Sequence, residues 1–213
     1  QLFLTRKAKN EEAVFNDICF DHVHPLFGQI DIKGSSEARN KAIQTDLIFQ
    51  LNIVKKIFEL AREKEALPFY EQMIFRVNEF IEALENDFNT TSEETLLHFL
   101  SREINPTMPH IKNLSEKLHL EVKNYEQLIS PETGIVSDHR LDYEQSVQTI
   151  NEHMAAYLDK KQEEAQAVFP HFYERFKTDG VEHNMYIGKS LVKDKDFNKV
   201  YLNNLRLWQL TTM

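Results

Sequence analysis

Apolar residues recur every three or four positions in this chain, over long stretches nearly free of glycine and proline. Ile43, Leu47, Leu51, Val54, Phe58 and Ala61 follow one another at gaps of four, four, three, four and three. That spacing puts all six on one face of an α-helix. Ser35 and Ser36 are predicted to cap it and Glu37 suits its first turn, so the helix runs from residue 35 to about residue 66, roughly 45 Å at 1.5 Å per residue. Replacing both serines with alanine is then expected to cost on the order of 1 kcal/mol through lost capping. Pro68 opens a second helix with Phe69, Met73, Val77, Phe80, Leu84 and Phe88 on one stripe. Only a few residues separate the two, which favours an antiparallel hairpin.

The same period continues. Thr91 and Glu94 fit a capping box for a third helix with Leu97, Leu100 and Ile104 on its apolar side. Asn105-Pro106 and Pro109 interrupt it, and Ile111, Leu114, Leu118, Val122, Tyr125 and Ile129 resume the period up to a turn at residues 130–134. From Asp138 a long helix is expected on Tyr143, Val147, Ile150, Met154 and Tyr157, then Ala165, Val168, Phe172 and Phe176. Pro170 should kink or restart it, and Gly180 should close it. Residues 8–20 read as a short helix on Ala13, Val14, Ile18 and Phe20, and residues 21–34 as a loop in which Ile30 and Ile32 can form a short extended piece. After Phe197, Val200, Tyr201, Leu205, Trp208 and Thr212 lie on one helical stripe, with Leu202, Leu207 and Leu210 off it. A helix apolar on more than one side calls for burial on more than one side. The expected fold is all-α, a bundle of long antiparallel helices with one short extended segment near residues 185–188. Its division is an N-terminal segment and loop over 1–34, a bundle over 35–180, and a C-terminal segment over 181–213 leading toward a further domain.

Composition narrows the function classes. With 5 Gly and 6 Pro in 213 residues, a loop-rich or all-β design is disfavoured. The net charge of −9 argues against a nucleic-acid or anionic-membrane surface. No run approaches the ~20 apolar residues of a membrane-spanning helix. Cys19 is the sole cysteine, so an internal disulfide and a cysteine-rich zinc site are excluded, which suits a reducing, cytoplasmic setting.

Three places carry groups with chemical potential. Lys33, Gly34, Ser35, Ser36 and Arg39 gather flexible backbone, hydroxyls and cations at a helix N-terminus, a setting receptive to phosphate or carboxylate. The glycine spacing and Lys-Ser/Thr pair of a phosphate-binding loop are missing, and a capped helix start explains the same residues. Asp21, His22 and His24 offer a carboxylate and imidazoles to a metal, with Asp31, Asp138, His139, Glu182 or His183 as possible further ligands. Nothing in the spacing selects among these, and scattered histidines explain the pattern as well. Residues 178–184, Thr-Asp-Gly-Val-Glu-His-Asn, hold an acid, an amide and an imidazole in a predicted loop, where turn chemistry accounts for them equally. Phe169, Phe172, Tyr173 and Phe176 read as core, as aromatics at helical spacing usually are. His98, His119, His153 and His171 read as surface or packed side chains. No cofactor is implied.

Asp31-Ile32-Lys33-Gly34-Ser35-Ser36 with Arg39-Asn40, Thr178-Asp179-Gly180-Val181 with Tyr186-Ile187-Gly188-Lys189-Ser190, and Tyr201-Leu202-Asn203-Asn204-Leu205-Arg206-Leu207-Trp208 together resemble a helical region of long multidomain bacterial proteins that contain a GAF domain. The resemblance implies a signalling context. It carries over no ligand-binding residues, because the antiparallel sheet of a GAF domain would lie outside this chain. The expected role is a regulatory, sensory or interaction module of a larger cytoplasmic bacterial protein, with no catalytic activity of its own. Its expected partners are neighbouring domains or a second copy met through helical faces. The alternative is a helical ligand-binding or catalytic domain whose anion or metal site forms from the loops 21–36 and 178–184.

Overall fold

The computed structural model describes residues 22–86, 88 and 90–212. The helix expected over 8–20, with Cys19 and the candidate ligand Asp21, lies outside them. The chain forms two compact units, Asp31–Met154 and Gln1–Ile30 with Ala155–Met213. They are described below as the helical unit and the sheet unit.

In the helical unit α1 (Ser35–Lys64) and α2 (Pro68–Asn86) form the expected antiparallel hairpin. Gln44 near the start of α1 donates to the Leu84 carbonyl near the end of α2, while Phe58 meets Phe69 and Tyr70 at the other end. The sequence stripe is the core: Leu47, Leu51, Val54, Phe58 and Ala61 are buried with Met73, Val77 and Leu84. α3 (Thr90–Phe99) begins before the expected cap, so Thr91 lies inside it. The two prolines do not end the helical path. One π-turn (Leu100–Ile104) and one 3-10 turn (Asn105–Thr107) carry the chain into α4 (Met108–Lys112). Pro106 has no N–H to give to the preceding turn, and the change of helical pitch around it suits that loss. α5 (Glu116–Leu128) starts afresh because the Ser115 hydroxyl accepts from the Leu118 N–H at 3.3 Å.

The start of α1 corrects one expectation. Gly34, at φ 72°, is the residue flanking the helix, and no side chain caps it; Ser35 and Ser36 are its first helical residues. The left-handed backbone there suits glycine, which has no Cβ to strain. The Ser35 carbonyl instead accepts from the Tyr143 hydroxyl at 2.8 Å.

Two buried polar residues of α1 hold the return of the chain. The Asp46 carboxylate accepts from the backbone N–H groups of His139 (3.0 Å) and Arg140 (2.9 Å), capping the first turn of α6 (Asp138–Val168) from a different helix. His139 Nδ1 approaches the same carboxylate at 2.8 Å. Gln50 donates to the Tyr125 hydroxyl and the Gly134 carbonyl, each at 3.0 Å, and accepts from the Val136 N–H at 3.0 Å.

The sheet unit departs from the all-α expectation. Three antiparallel strands, β1 (Val23–Asp31), β2 (Phe172–Lys177) and β3 (Gly180–Gly188), lie in the order β1-β3-β2. The protein is mostly helical with a small sheet, not an all-α bundle with one extended segment. The segment expected as loop over 21–34 is largely β1. The helix expected to continue through Pro170 stops at Val168, and residues 172–177 pair with β3, Phe172 opposite Tyr186 and Lys177 opposite Val181. Gly180 opens a strand and does not close a helix. Phe172 and Phe176, four apart, share a face in either structure, so this spacing does not separate the two periods. Gly188 joins β3 to the start of β1: a Cβ there would lie 2.0 Å from the His22 carbonyl oxygen, a space that only glycine leaves open. The sheet packs its inner face on the second part of α6 and on α7 (Lys199–Thr212), around Leu26, Ala165, Phe169, Met185, Ile187, Leu202 and Leu205.

Two stability outcomes follow. Asp46→Ala strips the first turn of α6 of its acceptor and is expected to cost about 2–3 kcal/mol in chemical denaturation followed by circular dichroism. The Ser35→Ala, Ser36→Ala double substitution is expected to stay within about 0.5 kcal/mol, while Gly34→Ala, forced to a positive φ, costs about 1 kcal/mol.

Candidate functional site

The residues singled out in the sequence lie on several different elements. Lys33, Gly34, Ser36 and Arg39 are exposed and Ser35 is half-buried at the start of α1. The Ser35 N–H donates to the Ile32 carbonyl at 3.1 Å, and a Cβ on Gly34 would lie 4.0 Å from a Glu37 carboxylate oxygen, a like charge for any anion there. His22 is exposed with φ 61°, and His24 stacks on Phe197 with ring centroids 5.7 Å apart. Among the described residues no group of three or more His, Cys, Asp or Glu is placed to hold a metal ion. Asp31 ends β1, Asp138 and His139 open α6, and Glu182 and His183 lie on β3. The segments 23–31 and 180–188 do come together, as neighbouring strands rather than as the walls of a cleft.

What the fold gathers instead is a polar cluster on the inner face of the sheet. Alternation along β2 and β3 aims Tyr173, Arg175, His183 and Met185 to the same side, with Arg175 opposite His183 in the ladder. His171, just before β2, is clasped by α6. Its backbone N–H and carbonyl bond to the Gln166 side chain at 3.0 and 2.6 Å. Its ring Nδ1 lies 2.8 Å from the Phe169 carbonyl, which can only accept, so Nδ1 carries the proton and Nε2 accepts from Gln162 at 2.7 Å. His183 is 1% exposed; its Nε2 lies 3.4 Å from the Gln209 amide nitrogen, which also donates to the Phe27 carbonyl at 2.7 Å. The ring packs near Tyr173 and edge-on to Trp208, whose indole N–H donates to the Lys161 carbonyl at 3.0 Å. Arg175 makes a two-pronged pair with Asp159, at 3.1 Å on each arm.

Among the described residues, three buried atoms of this cluster have no hydrogen-bond partner: Gln162 Oε1, the Tyr173 hydroxyl and His183 Nδ1. They present an acceptor, a hydroxyl and, with Nε2 accepting from Gln209, a donor. Burial lowers the pKa of both histidines, opposed at His171 by the Phe169 carbonyl, and raises that of Tyr173, where Asp159 adds to the rise and Arg175 opposes it. A neutral buried imidazole beside a phenol can relay a proton or orient a small polar molecule. The sequence reading took His171 as a helix side chain and His183 as a loop residue, and missed their shared face because it depends on a period of two while residues up to Phe176 read with a helical period.

The outer surface of the same unit exposes large apolar side chains among polar ones, with Glu174, Asn184 and Glu182 on the face of Phe172, Tyr186 and Phe176. Phe27 and Phe172 flank Tyr186 at ring distances of 6.3 and 5.8 Å, and Phe172 and Phe176, expected in the core, are exposed; Phe169 is core as expected. α7 buries Leu202 and Leu205 and leaves Val200, Leu207 and Leu210 in solvent at 66%, 61% and 80% exposure. No helix among the described residues is long and apolar enough to cross a membrane.

The histidines give a pH dependence whose sign is fixed. Unfolded, each ring takes up a proton near its ordinary value of 6.5; folded, both stay neutral to lower pH. The unfolded state therefore gains protons first, so this stabilisation is complete above about pH 6.5 and is lost as pH falls through the lowered folded values. Thermal denaturation between about pH 7.5 and 5.5 is expected to show that fall, and His183→Gln is expected to make it shallower.

No curated protein and no solved structure matches the chain. A family described as YeeD uncharacterised protein matches residues 41–185, more than half of the 213, spanning α1 through most of β3. The chain belongs to the YeeD family.

Proposed function

We propose that this chain is a regulatory or interaction module of a larger cytoplasmic bacterial protein, without catalytic activity of its own. It works by offering an apolar surface to neighbouring domains of its parent or to a second copy. The observation that carries this reading is α7, a helix that is apolar on two sides and covered on one. Leu202 and Leu205 serve the core of the sheet unit, whereas Val200, Leu207 and Leu210 stand in water. Large apolar side chains left exposed on one side of a helix in this way support a contact site. The exposed aromatics Phe27 and Phe172 around Tyr186 add to it on the open face of the sheet. The resemblance to the helical region of GAF-domain proteins agrees with a role in relaying signals between domains.

A second reading has its own support. Gln162, Tyr173 and His183 keep unpartnered buried polar atoms on the inner face of the sheet, which favours a small polar ligand there over the anion or metal sites of the sequence reading.

The two readings separate in native mass spectrometry of the purified chain. The module reading expects no stoichiometric small molecule; a retained one transfers the argument to the inner cluster. The two faces of α7 also differ in stability. At dilute concentration Leu202→Ala is expected to cost about 2–4 kcal/mol, as for a packed core residue. Leu207→Gln is expected to change stability by less than about 0.5 kcal/mol. An equal cost at both positions would place Leu207 in the core and end the contact-site reading.

A further inference from the structure

We propose that a proton taken up by His183 releases α7 from the sheet, so that acid frees this helix while the strands stay paired. The proposal goes beyond the module reading and stands whether or not α7 meets a partner. Side chains from two elements close around the buried His183 ring. Tyr173 of β2 lies beside it with ring centroids 5.7 Å apart, and Trp208 of α7 stands edge-on at 6.3 Å. Gln209 of α7 brings its amide nitrogen to 3.4 Å from Nε2.

The direction of the hydrogen bonds makes this contact depend on a neutral ring. An amide nitrogen donates and does not accept, so Nε2 is the acceptor and carries no proton. A proton added there sets two donors against each other. Turning the Gln209 amide over does not relieve this, because the same nitrogen donates to the Phe27 carbonyl of β1 at 2.7 Å. Once turned, the amide oxygen would face a carbonyl oxygen. His171 is held in a different way. Gln162 donates to its Nε2 at 2.7 Å, and Gln162 Oε1 has no partner among the described residues. That amide can turn over and offer its oxygen to a charged ring without losing another bond, so the passage from α6 to β2 holds in acid.

Among the described residues His183 pairs with no carboxylate that would receive the charge. Its opposite number on β2 is Arg175, a like charge, and the nearby Asp159 of α6 is engaged by both arms of that guanidinium. Lys161 of α6 is paired with Glu164. α7 itself carries only Lys199 and Arg206, both exposed cations. On β1, His24 stacks on Phe197 and Asp31 ends the strand, while Glu182 and Tyr186 of β3 lie on the opposite face of the sheet. A buried charge without a partner is costly, and the ring reaches water only when an element moves. β3 is the central strand, paired on both sides, whereas α7 meets the sheet through side chains such as Leu202, Leu205 and Gln209. The helix is the element that leaves.

Hydrogen exchange of the whole chain, read by mass spectrometry from about pH 7.5 to 5.5 and corrected for the intrinsic rate, tests the release. Opening of the α7 amides is expected to increase below about pH 6.5, by up to about tenfold per pH unit. The paired amides of β2 and β3 are expected to keep their protection, and His183→Gln is expected to remove the pH dependence from α7. A histidine NMR titration of the unaltered chain gives a second reading should that variant not fold: α7 opening is expected to track protonation of the His183 ring. Four results overturn the proposal. They are α7 amides indifferent to pH, opening of β2 and β3 in step with α7, a pH dependence that survives in His183→Gln, and a His183 ring that takes up its proton with α7 still protected.

Discussion

The helical unit turns on two buried polar side chains in an otherwise greasy stripe. Asp46 and Gln50 sit one turn apart on α1 among Ile43, Leu47, Leu51 and Val54, and between them they bond backbone groups of Gly134, Val136, His139 and Arg140. Hydrophobic contact brings helices together without fixing their register, because one apolar face accepts several positions of another. A carboxylate that must receive two N–H groups of α6, and an amide that must meet Tyr125, Gly134 and Val136, do not. The penalty for leaving them unpaired makes one arrangement far better than its neighbours.

The sheet unit uses polar groups differently. On its inner face His171 is bound on both ring nitrogens and on both backbone groups, and it orders the passage from α6 through Pro170 into β2. His183, Tyr173 and Gln162, close by in the fold, each keep an atom without a partner among the described residues. A structure that satisfies one buried histidine completely and leaves a second incompletely bonded concentrates its chemical capacity at the second. The outer surface of the unit makes no such provision. There aromatic rings and the leucines of α7 meet water, and the functional reading follows from that surface.

Much of the helical architecture was legible. The stripes of α1 and α2 read as amphipathic helices, became the core, and packed as the antiparallel hairpin that the short connection around Pro68 suggested. The candidate sites were less so. Lys33, Ser35, Ser36 and Arg39 stood out by residue type at a helix start, yet the left-handed backbone of Gly34 and the Tyr143 contact account for the geometry there. His183 was noticed as a loop residue, while the structure gives it a buried place on a central strand. Loop chemistry and strand chemistry use the same side chains, and only pairing tells them apart.

By itself the sequence determined what depends on neighbours three and four residues away: where helices run, which of their faces are apolar, and that α7 has more apolar surface than one side can bury. Tertiary structure decided what depends on residues far apart. β1 and β3 are distant in sequence, and Gly188 against His22 is a contact that no local period announces. Phe172 and Phe176 fall on one side of a helix or of a strand alike, so their spacing left the choice to the hydrogen bonds offered by β3. Local periodicity measures the shape of a surface, and the backbone partners that complete a sheet come from elsewhere in the chain.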